Sequence, residues 1–410
     1  MKRFSILTLL VCSLSMSARA QDAGIAYVLG QVEQNNKELQ ANARVIASQK
    51  IENKADNRLD DPTLSYAHVW DKDDSDVTEG ELIVTQSFDF PTLYYTRSRL
   101  NRTKSAALDA QAEAFRQDIL LQAKELCLDL IYLQRQQTLL NRRLSDAQEL
   151  ADLYKKRLDA GDANVIETNK VSLELLNVKT ETRANRVALQ NKLKELTALN
   201  GDISLAPGRG LPGYNDESVV NIPGLDEYPA VALPTDFASV CVELLSIDPV
   251  LLALSSEHGA AAREVSASRQ GWLPKLELGY RRNTESGHPL NGIVVGFSIP
   301  LWQNWGRVKA AKAKATSVNL RRESAEQQAA SRLWQLYDEA SALHQSMQEY
   351  REAFAAGRSL DLLKQALLGG EISLTDYFVE ATVVYDSQAN YLRIESDYQK
   401  AMARIYKSQL

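Results

Sequence analysis

The chain has 410 residues, of which 47 are basic and 53 acidic, for a net charge of −6. This acidic balance argues against nucleic acid as a partner, because phosphate backbones are bound by clustered Lys and Arg. The histidines are scattered without metal-ligand spacing, and the chain has neither a phosphate-cradling glycine loop nor a nucleophile elbow. We therefore expect no enzyme activity, no cofactor and no metal site.

Residues 1–20 are predicted to be a targeting segment. Lys2 and Arg3 precede the apolar run Phe4–Leu14, and Ala18-Arg19-Ala20 forms a small-residue cleavage site. Cleavage would remove three basic residues and leave 44 against 53 acidic ones, a charge of −9. The sequence therefore predicts export.

Cysteine usage leaves two readings open. After the targeting segment only Cys127 and Cys241 remain. They could pair in an exported protein, or they could be two buried, unpaired thiols, and the sequence does not decide between these.

The first half of the mature chain, residues 21–204, predicts a helix, two strands and a long helical hairpin. The helix spans Gly24 to about Asn57, and the strands, Thr63–Trp70 and Leu82–Phe88, alternate apolar and polar residues around the acidic loop Asp71–Asp76. The aromatics at the strand ends fit either an interfacial girdle or a core. These aromatics are Tyr66, Trp70, Phe88 and Phe90.

The long hairpin starts with a stretch of 69 residues, Thr92 to Ala160, that contains no proline or glycine. A helix of that length would be roughly 100 Å long at 1.5 Å per residue. It carries a heptad seam with alternating spacings of four and three, the pattern of helices packed side by side. The seam consists of Leu126, Leu130, Leu133, Gln137, Leu140, Leu144, Ala147, Ala151, Tyr154 and Leu158. A glycine turn at Gly161 leads into a second helix from about Val165 to Leu199.

Residues 205–234 contain five prolines and are predicted to be an irregular linker. The second half, residues 235–410, repeats the order of the first. Its strands are predicted at Leu276–Arg282 and Ile293–Ile299, its long helix from about Gly306 to Leu368 with an interruption at Gly357, and its last helix from about Thr375 to Leu410. The turn between these helices contains Gly369 and Gly370.

Two halves of this kind supply four strands per chain. A four-stranded sheet cannot close on itself, and open edges in lipid would leave backbone groups unpaired. Copies of the chain are therefore expected to pool strands: three copies give about twelve, more than the smallest closed membrane sheets need. The predicted fold class is mostly α with membrane β, in which long antiparallel hairpins form an α-barrel and four strands per chain join a trimeric 12-stranded β-barrel.

The ensemble resembles the TolC family of outer-membrane efflux channels. Besides the duplicated order, the resemblance rests on Trp272–Leu278 entering a strand, Val295–Leu301 leaving one, and the glycine turns of the two hairpins. The Phe-Ser-Ile-Pro-Leu segment followed by Trp305-Gly306-Arg307 looks most like the branch that serves cation and heavy-metal exporters.

The resemblance implies a homotrimer in the outer membrane, in contact with its lipid, whose helical barrel lies in the periplasm. It implies a periplasmic adaptor and an inner-membrane pump, often of the resistance–nodulation–division type, as partners, and passive export as the activity. The alternative is a periplasmic adaptor or coiled-coil scaffold, which shares the export signal and the long hairpins but would have one hairpin between split β-rich modules.

Acidic residues at the hairpin turns are the candidate constriction of such a channel. The family's acid six residues after the turn glycine corresponds to Asp376, and a second acid three residues later is replaced by Val379. Rings of carboxylates would favour cations, whereas helix-tip acids are also ordinary N-terminal charges. The further candidates are Glu371, Glu380, Glu167 and Asp162.

Overall fold

The computed structural model describes residues 24–70, 78–205, 224–285, 288–302, 304–355 and 360–410. The predicted targeting segment, the acidic loop at Asp71–Asp76, Gly357 and most of the predicted linker lie outside these residues. Helices and antiparallel strands follow one another in the predicted order. Residues 24–35 are helical (α1), and the later elements are α2 Lys37–Ala55, β1 Thr63–Trp70, β2 Thr78–Phe88, α3 Pro91–Asp159, α4 Val165–Leu199, α5 Phe237–Ile247, α6 Pro249–Gln270, β3 Lys275–Glu285, β4 His288–Ser298, α7 Arg307–Ala355, α8 Leu360–Leu368 and α9 Leu374–Ile405.

The prediction of one helix from Gly24 to Asn57 is wrong, because the helix is interrupted at Asn36. The Asn36 side chain accepts a hydrogen bond from the backbone N–H of Leu39 at 2.8 Å and so caps a new helix. The second half has the same device: Asp248 caps α6 by accepting from the N–H of Leu251 at 3.2 Å.

Clustering of backbone contacts divides the chain into two compact units. One comprises residues 24–40, Phe115–Leu244 and Ala330–Leu410, and the other comprises Ala41–Ala114 and Leu245–Ala329.

The first unit contains the long coiled seam of α3. Every one of the ten predicted seam residues is buried or half-buried, which confirms the heptad interpretation. Its one polar member, Gln137, has a partner: the buried amide of Asn185 on α4 donates to Gln137 Oε1 and to the carbonyl of Leu133, both at 3.0 Å. A satisfied polar pair in an apolar seam favours one register of the two helices over its neighbours.

The first unit also holds an apolar core around α3. Leu128, Leu130 and Ile131 are essentially inaccessible to solvent. The described end of the linker is anchored nearby, since Gln399 donates to the carbonyl of Pro229 at 3.2 Å and Tyr398 to that of Val231 at 3.1 Å. Cys127 is buried in this core and Cys241 is buried on α5, and both are unpaired, which settles the open question about the thiols.

The second unit contains a four-stranded antiparallel sheet in the order β1-β2-β3-β4. The strands begin earlier than predicted or end later, at Thr78, Glu285 and His288, because pairing extends beyond the alternating residues. Neither β1 nor β4 has a second strand neighbour within the described residues. Each copy of the chain therefore leaves two strand edges open.

Pairing register places most of the large apolar strand residues on one side of this sheet, here called the apolar face. Its most exposed apolar members are Leu64 at 71%, Tyr66 at 66%, Trp70 at 68%, Ile293 at 84% and Phe297 at 69%. The other members among the described side chains are His68, Gly80, Leu82, Val84, Gln86, Phe88, Leu276, Leu278, Tyr280, Arg282, Thr284, Pro289, Asn291 and Val295. Monomeric soluble proteins rarely expose contiguous apolar surface on this scale.

Most residues on the opposite side of the sheet are polar or small, Ser65, Glu81, Glu277, Gly279 and Arg281 among them, and its large apolar residues are Val69, Ile83, Leu290 and Val294. Gly279 is needed there, because a Cβ at that position would lie 2.5 Å from the carbonyl oxygen of Val84. An apolar side and a polar side on one sheet indicate two different environments.

An ion cluster joins the sheet to the helix that follows it. Asp89, only 8% exposed, accepts from Arg97 at 2.6 Å and lies 3.4 Å from Lys275. Lys275 also pairs with Asp60 at 2.9 Å. Two cations thus compensate the buried carboxylate.

Within the described residues, no single helix combines the length and hydropathy of a membrane span. The helices Phe237–Ile247 and Pro249–Gln270, which meet at a bend, reach the length and hydropathy of a membrane span when they are taken together, by length and composition only.

Candidate functional site

The two hairpin turns that carry the candidate acids both lie in the first unit. The first turn follows α3 at Gly161, whose φ of +82° lies in the left-handed region that glycine adopts without strain. The N–H of Asp162 donates to the carbonyl of Arg157 at 2.8 Å, and that of Gly161 to Leu158 at 3.0 Å. These two bonds are a Schellman motif, which satisfies carbonyls that the end of α3 would leave unpaired.

The second turn, between α8 and α9, is built in the same way. Gly370 has a φ of +74° and donates to the carbonyl of Leu367 at 3.1 Å. The N–H of Glu371 donates to the carbonyl of Ala366 at 2.9 Å. Gly369 precedes the left-handed position and makes an ordinary helical bond to Gln365 at 2.8 Å. The turn therefore needs one of its two glycines for backbone conformation.

Glu167 and Asp376, six residues after the turn glycines, both take part in capping boxes. Asn164 accepts from the N–H of Glu167 at 3.0 Å and donates its own N–H to that carboxylate at 3.4 Å. Ser373 and Asp376 form the same reciprocal pair, at 3.1 Å and 3.3 Å. The Ser373 hydroxyl also donates to Asp376 Oδ2 at 2.6 Å. Both acids thus stabilise helix N-termini, where the helix dipole favours negative charge.

The other candidate acids lie at the surface of the same two turns. Asp162 and Glu371 occupy equivalent positions directly after the left-handed glycine, and both are exposed. Glu380 is exposed one turn further along α9, beside Val379, which is 58% exposed. The structure thus brings all five acids to two neighbouring helix tips.

Apolar packing holds the two tips together. Tyr154 and Val171 of the α3–α4 hairpin belong to the same buried cluster as Leu374, Tyr377 and Ala381 of α9. Ala163 and Ile372, one in each turn, pack against the margin of that cluster. Lys170 adds a polar link by donating to the Thr375 hydroxyl at 3.2 Å.

A charged network that the sequence did not reveal lies deeper in this cluster. Tyr385, 5% exposed, donates its hydroxyl to Asp146 of α3 at 2.6 Å. Lys364 of α8 lies 3.6 Å from Asp146 and also bonds Glu149. Arg143 has its guanidinium 5.5 Å from the centre of the Tyr385 ring. The α3–α4 hairpin is therefore joined to α8 and α9 by ionic contacts as well as apolar ones.

Burial sets the ionisation of this network. It raises the pKa of Tyr377 to about 12, and the carboxylates of Asp146 and Glu149 act in the same direction. The pKa of Tyr385 is raised first by burial and then by its hydrogen bond to Asp146. The bond to Glu149 raises the pKa of Lys364, so the lysine stays protonated and the tyrosines neutral.

The arrangement presents charged and hydrogen-bonding groups that can bind and position a partner. Within the described residues, no group of three or more His, Cys, Asp or Glu side chains converges as a metal site would require. The tips present carboxylates on rigid, well-capped turns, which suits an electrostatic lining or a docking surface.

Comparison with known proteins confirms the resemblance predicted from the sequence. Residues 240–408 match the family model described as outer membrane efflux protein. Outer membrane protein TolC of Vibrio cholerae serotype O1 is 28% identical over 159 residues, which are 37% of this chain and 35% of that protein. The matched segment thus spans about a third of the length of that relative.

Solved structures show the same fold over almost the whole chain. CusC is similar with a TM-score of 0.75 at 15% identity, covering 94% of this chain and 91% of that one. The outer membrane protein VceC of Vibrio cholerae is similar with a TM-score of 0.74 at 16% identity, covering 95% and 97%. The predicted combination of long helical hairpins and a four-stranded sheet is confirmed as the fold of such proteins.

Proposed function

We propose that this protein, a relative of the outer membrane efflux proteins, is the outer-membrane channel of a tripartite efflux pump. It passes small molecules or cations outward and performs no chemistry of its own. The observation that carries the proposal is the sheet: one face is largely apolar and exposed, the other is mostly polar or small, and within the described residues neither edge strand has an outer partner.

Ring closure follows from the strand order. With four antiparallel strands, β1 and β4 run in opposite directions, so β4 of one copy can pair antiparallel with β1 of the next. Such a head-to-tail contact repeats around an axis until the ring closes. Three copies give about twelve strands, which satisfies every edge and turns the apolar face towards lipid. The proposed state is a homotrimer.

The repeat organisation belongs to the proposal. We assign residues 1–20 to a signal peptide, 21–204 and 235–410 to two repeats, and 205–234 to the segment between them. Two matched pairs of features support the repeats. The first pair is the helix caps at Asn36 and Asp248, and the second is the two hairpin turns, each of which combines a Schellman motif with a capping box.

The hairpin tips are the proposed periplasmic end. A periplasmic adaptor docks on the two turns, and an inner-membrane pump, of the resistance–nodulation–division type, delivers the substrate. Asp376 is the first choice for a carboxylate ring at the constriction, with Glu371, Glu380, Glu167 and Asp162 as further contributors. Capping does not preclude this role for Asp376, because only Oδ2 is engaged by Ser373.

Metal cations are the first substrates to test. The segment Phe297–Leu301 with Trp305-Gly306-Arg307 resembles the cation-exporting branch, and carboxylates at a constriction favour cations over anions. Deleting the gene should make particular metal ions, dyes or antibiotics more toxic, and the intact gene should restore resistance.

Fractionation of the same cells completes the test. We expect the mature protein in the outer-membrane fraction, extracted only by detergent and cross-linked as a trimer. A monomer released without detergent, together with unchanged sensitivity to every compound, would refute the proposal.

A further inference from the structure

The apolar face is interrupted near its β1–β2 and β3–β4 hairpin ends by a group of polar residues, here called the polar patch. It consists of Tyr66, His68, Arg282, Thr284 and Asn291 around Gly80. Register places Tyr66, Leu82, Arg282 and Asn291 in one row across the sheet, and His68, Gly80, Thr284 and Pro289 in the next. The rows nearer the helices are almost entirely apolar, with Leu276, Leu278, Val295 and Phe297.

Arg282 is the charged centre of the polar patch. Its side chain is exposed, and it makes no ion pair or hydrogen bond with any described residue. An unpaired arginine on a lipid-facing strand is destabilising at the bilayer midplane and nearly neutral at the headgroup level. The rows between Arg282 and the helices are mostly apolar. The row of Arg282 therefore fits the level of the membrane where the hydrocarbon core ends and the headgroups begin.

Hydrogen-bonding groups surround this cation. A Cβ added at Gly80 would lie 2.8 Å from the Thr284 hydroxyl and 3.1 Å from the Tyr66 hydroxyl, so both hydroxyls lie over the glycine. Thr284 donates to the carbonyl of Gly80 at 3.0 Å, which leaves the Tyr66 hydroxyl as the donor of the two. Tyr280 donates to Asn291 Oδ1 at 2.6 Å, which leaves the Asn291 amide N–H groups as donors beside Arg282. Phosphate oxygens accept hydrogen bonds both from arginine and from neutral donors, so these side chains together can bind a phosphate group.

We propose that the polar patch binds the phosphate of a phosphorylated lipid headgroup in the outer leaflet. This inference rests on the proposed function, which places the apolar face in the outer membrane. The lipid's acyl chains lie on the apolar rows beside Leu278 and Val295, and its phosphate accepts from Arg282. Such a contact anchors the height of the sheet in the membrane and compensates the exposed guanidinium.

Arg281 provides a matched control, because it is the same residue type one position away on the opposite side of the sheet. It is already paired with Glu81 at 2.5 Å. Arg281→Gln removes the same charge from the same strand but leaves every residue of the polar patch unchanged.

The experiment uses the full mature protein in phosphatidylcholine nanodiscs doped with bis-phosphorylated lipid A or with its dephosphorylated form. Native mass spectrometry counts the doped lipid retained on the protein. We expect the wild type to retain the phosphorylated form preferentially, Arg282→Gln to bind it about fivefold more weakly, Arg282→Lys to keep most of the preference, and Arg281→Gln to behave as the wild type.

Equal retention by Arg282→Gln and the wild type would overturn the inference, as would equal retention of the two lipid forms. An equal loss in Arg281→Gln would also overturn it, since the effect would then be one of overall charge. If the wild type does not enter nanodiscs at all, both the proposed function and this inference are refuted. Insertion without phosphate preference leaves the proposed function intact and refutes only the polar patch.

Discussion

The link between Tyr385 and Asp146 makes a quantitative prediction about the hairpin tips. Tyr385→Phe keeps the buried ring and removes one hydrogen bond of 2.6 Å to a carboxylate. A bond to a charged group contributes about 1.5–3 kcal/mol. Asp146 retains Lys364 at 3.6 Å and is 25% exposed, so we expect the lower end, about 1.5 kcal/mol. That value corresponds to roughly a tenfold change in an opening equilibrium.

Hydrogen exchange of the detergent-solubilised protein measures this opening at each amide. Amides of α8 and the first turns of α9 should exchange about tenfold faster in Tyr385→Phe. Tyr350→Phe is the matched control, because the Tyr350 ring packs 5.8 Å from Phe354 and its hydroxyl bonds to no described residue. Exchange rates that are unchanged in Tyr385→Phe, or raised equally in Tyr350→Phe, would refute the reasoning.

Three further predictions concern backbone, pH and thiols. Gly161→Ala should destabilise the first turn by about 1 kcal/mol, because alanine is strained in the left-handed conformation of Gly161. Gly30→Ala is the control: an added Cβ meets no atom within 4 Å at either glycine, but Gly30 lies in a helix and should not be destabilised. Thermal unfolding of the two variants measures the difference. Burial raises the pKa of Tyr377 from 10.0 to about 12. The neutral side chain therefore contributes stability below pH 10.0, and this contribution is lost as the pH rises towards 12. In Tyr377→Phe the unfolding temperature should fall less steeply over that alkaline range. Burial also raises the pKa of Cys127 to about 12, so iodoacetamide should spare Cys127 in the native protein and modify both Cys127 and Cys241 after denaturation.

Local patterns in the sequence predicted most of the helices, strands and turns. The heptad seam from Leu126 to Leu158 predicted which side of α3 is buried, because a side-by-side packing repeats every seven residues. Period-two alternation likewise predicted that Leu64, Tyr66, His68 and Trp70 share one side of β1. Both patterns depend on neighbours within a few residues.

The break at Asn36 was missed because it involves neither proline nor glycine. An asparagine side chain competes with the helix for the N–H of Leu39, and such local bonds have a weak signature inside a polar stretch. The equivalent cap at Asp248 has a clearer sequence signature, because Pro249 follows it at the first position of the helix.

The network at the tips was beyond sequence reasoning for a different reason. Tyr385 and Asp146 are separated by 239 residues, and Lys364 and Glu149 by 215. Nothing in the local pattern of either segment indicates its partner, since only the packing of the two hairpins brings them together. Glu167 and Asp376 lie in the first turns of α4 and α9, where they form reciprocal capping bonds with Asn164 and Ser373. Their part in a constriction stays a prediction.

Electrical recording across a planar lipid bilayer tests the central claim most directly. The purified mature protein, added from detergent, should produce stepwise conductance, and because the hairpin tips carry carboxylates the open channel should prefer cations, a preference that Asp376→Asn weakens. A bilayer that stays silent at protein concentrations where cross-linking detects assembled trimers would contradict the account, as no continuous aqueous path would then run through the assembly.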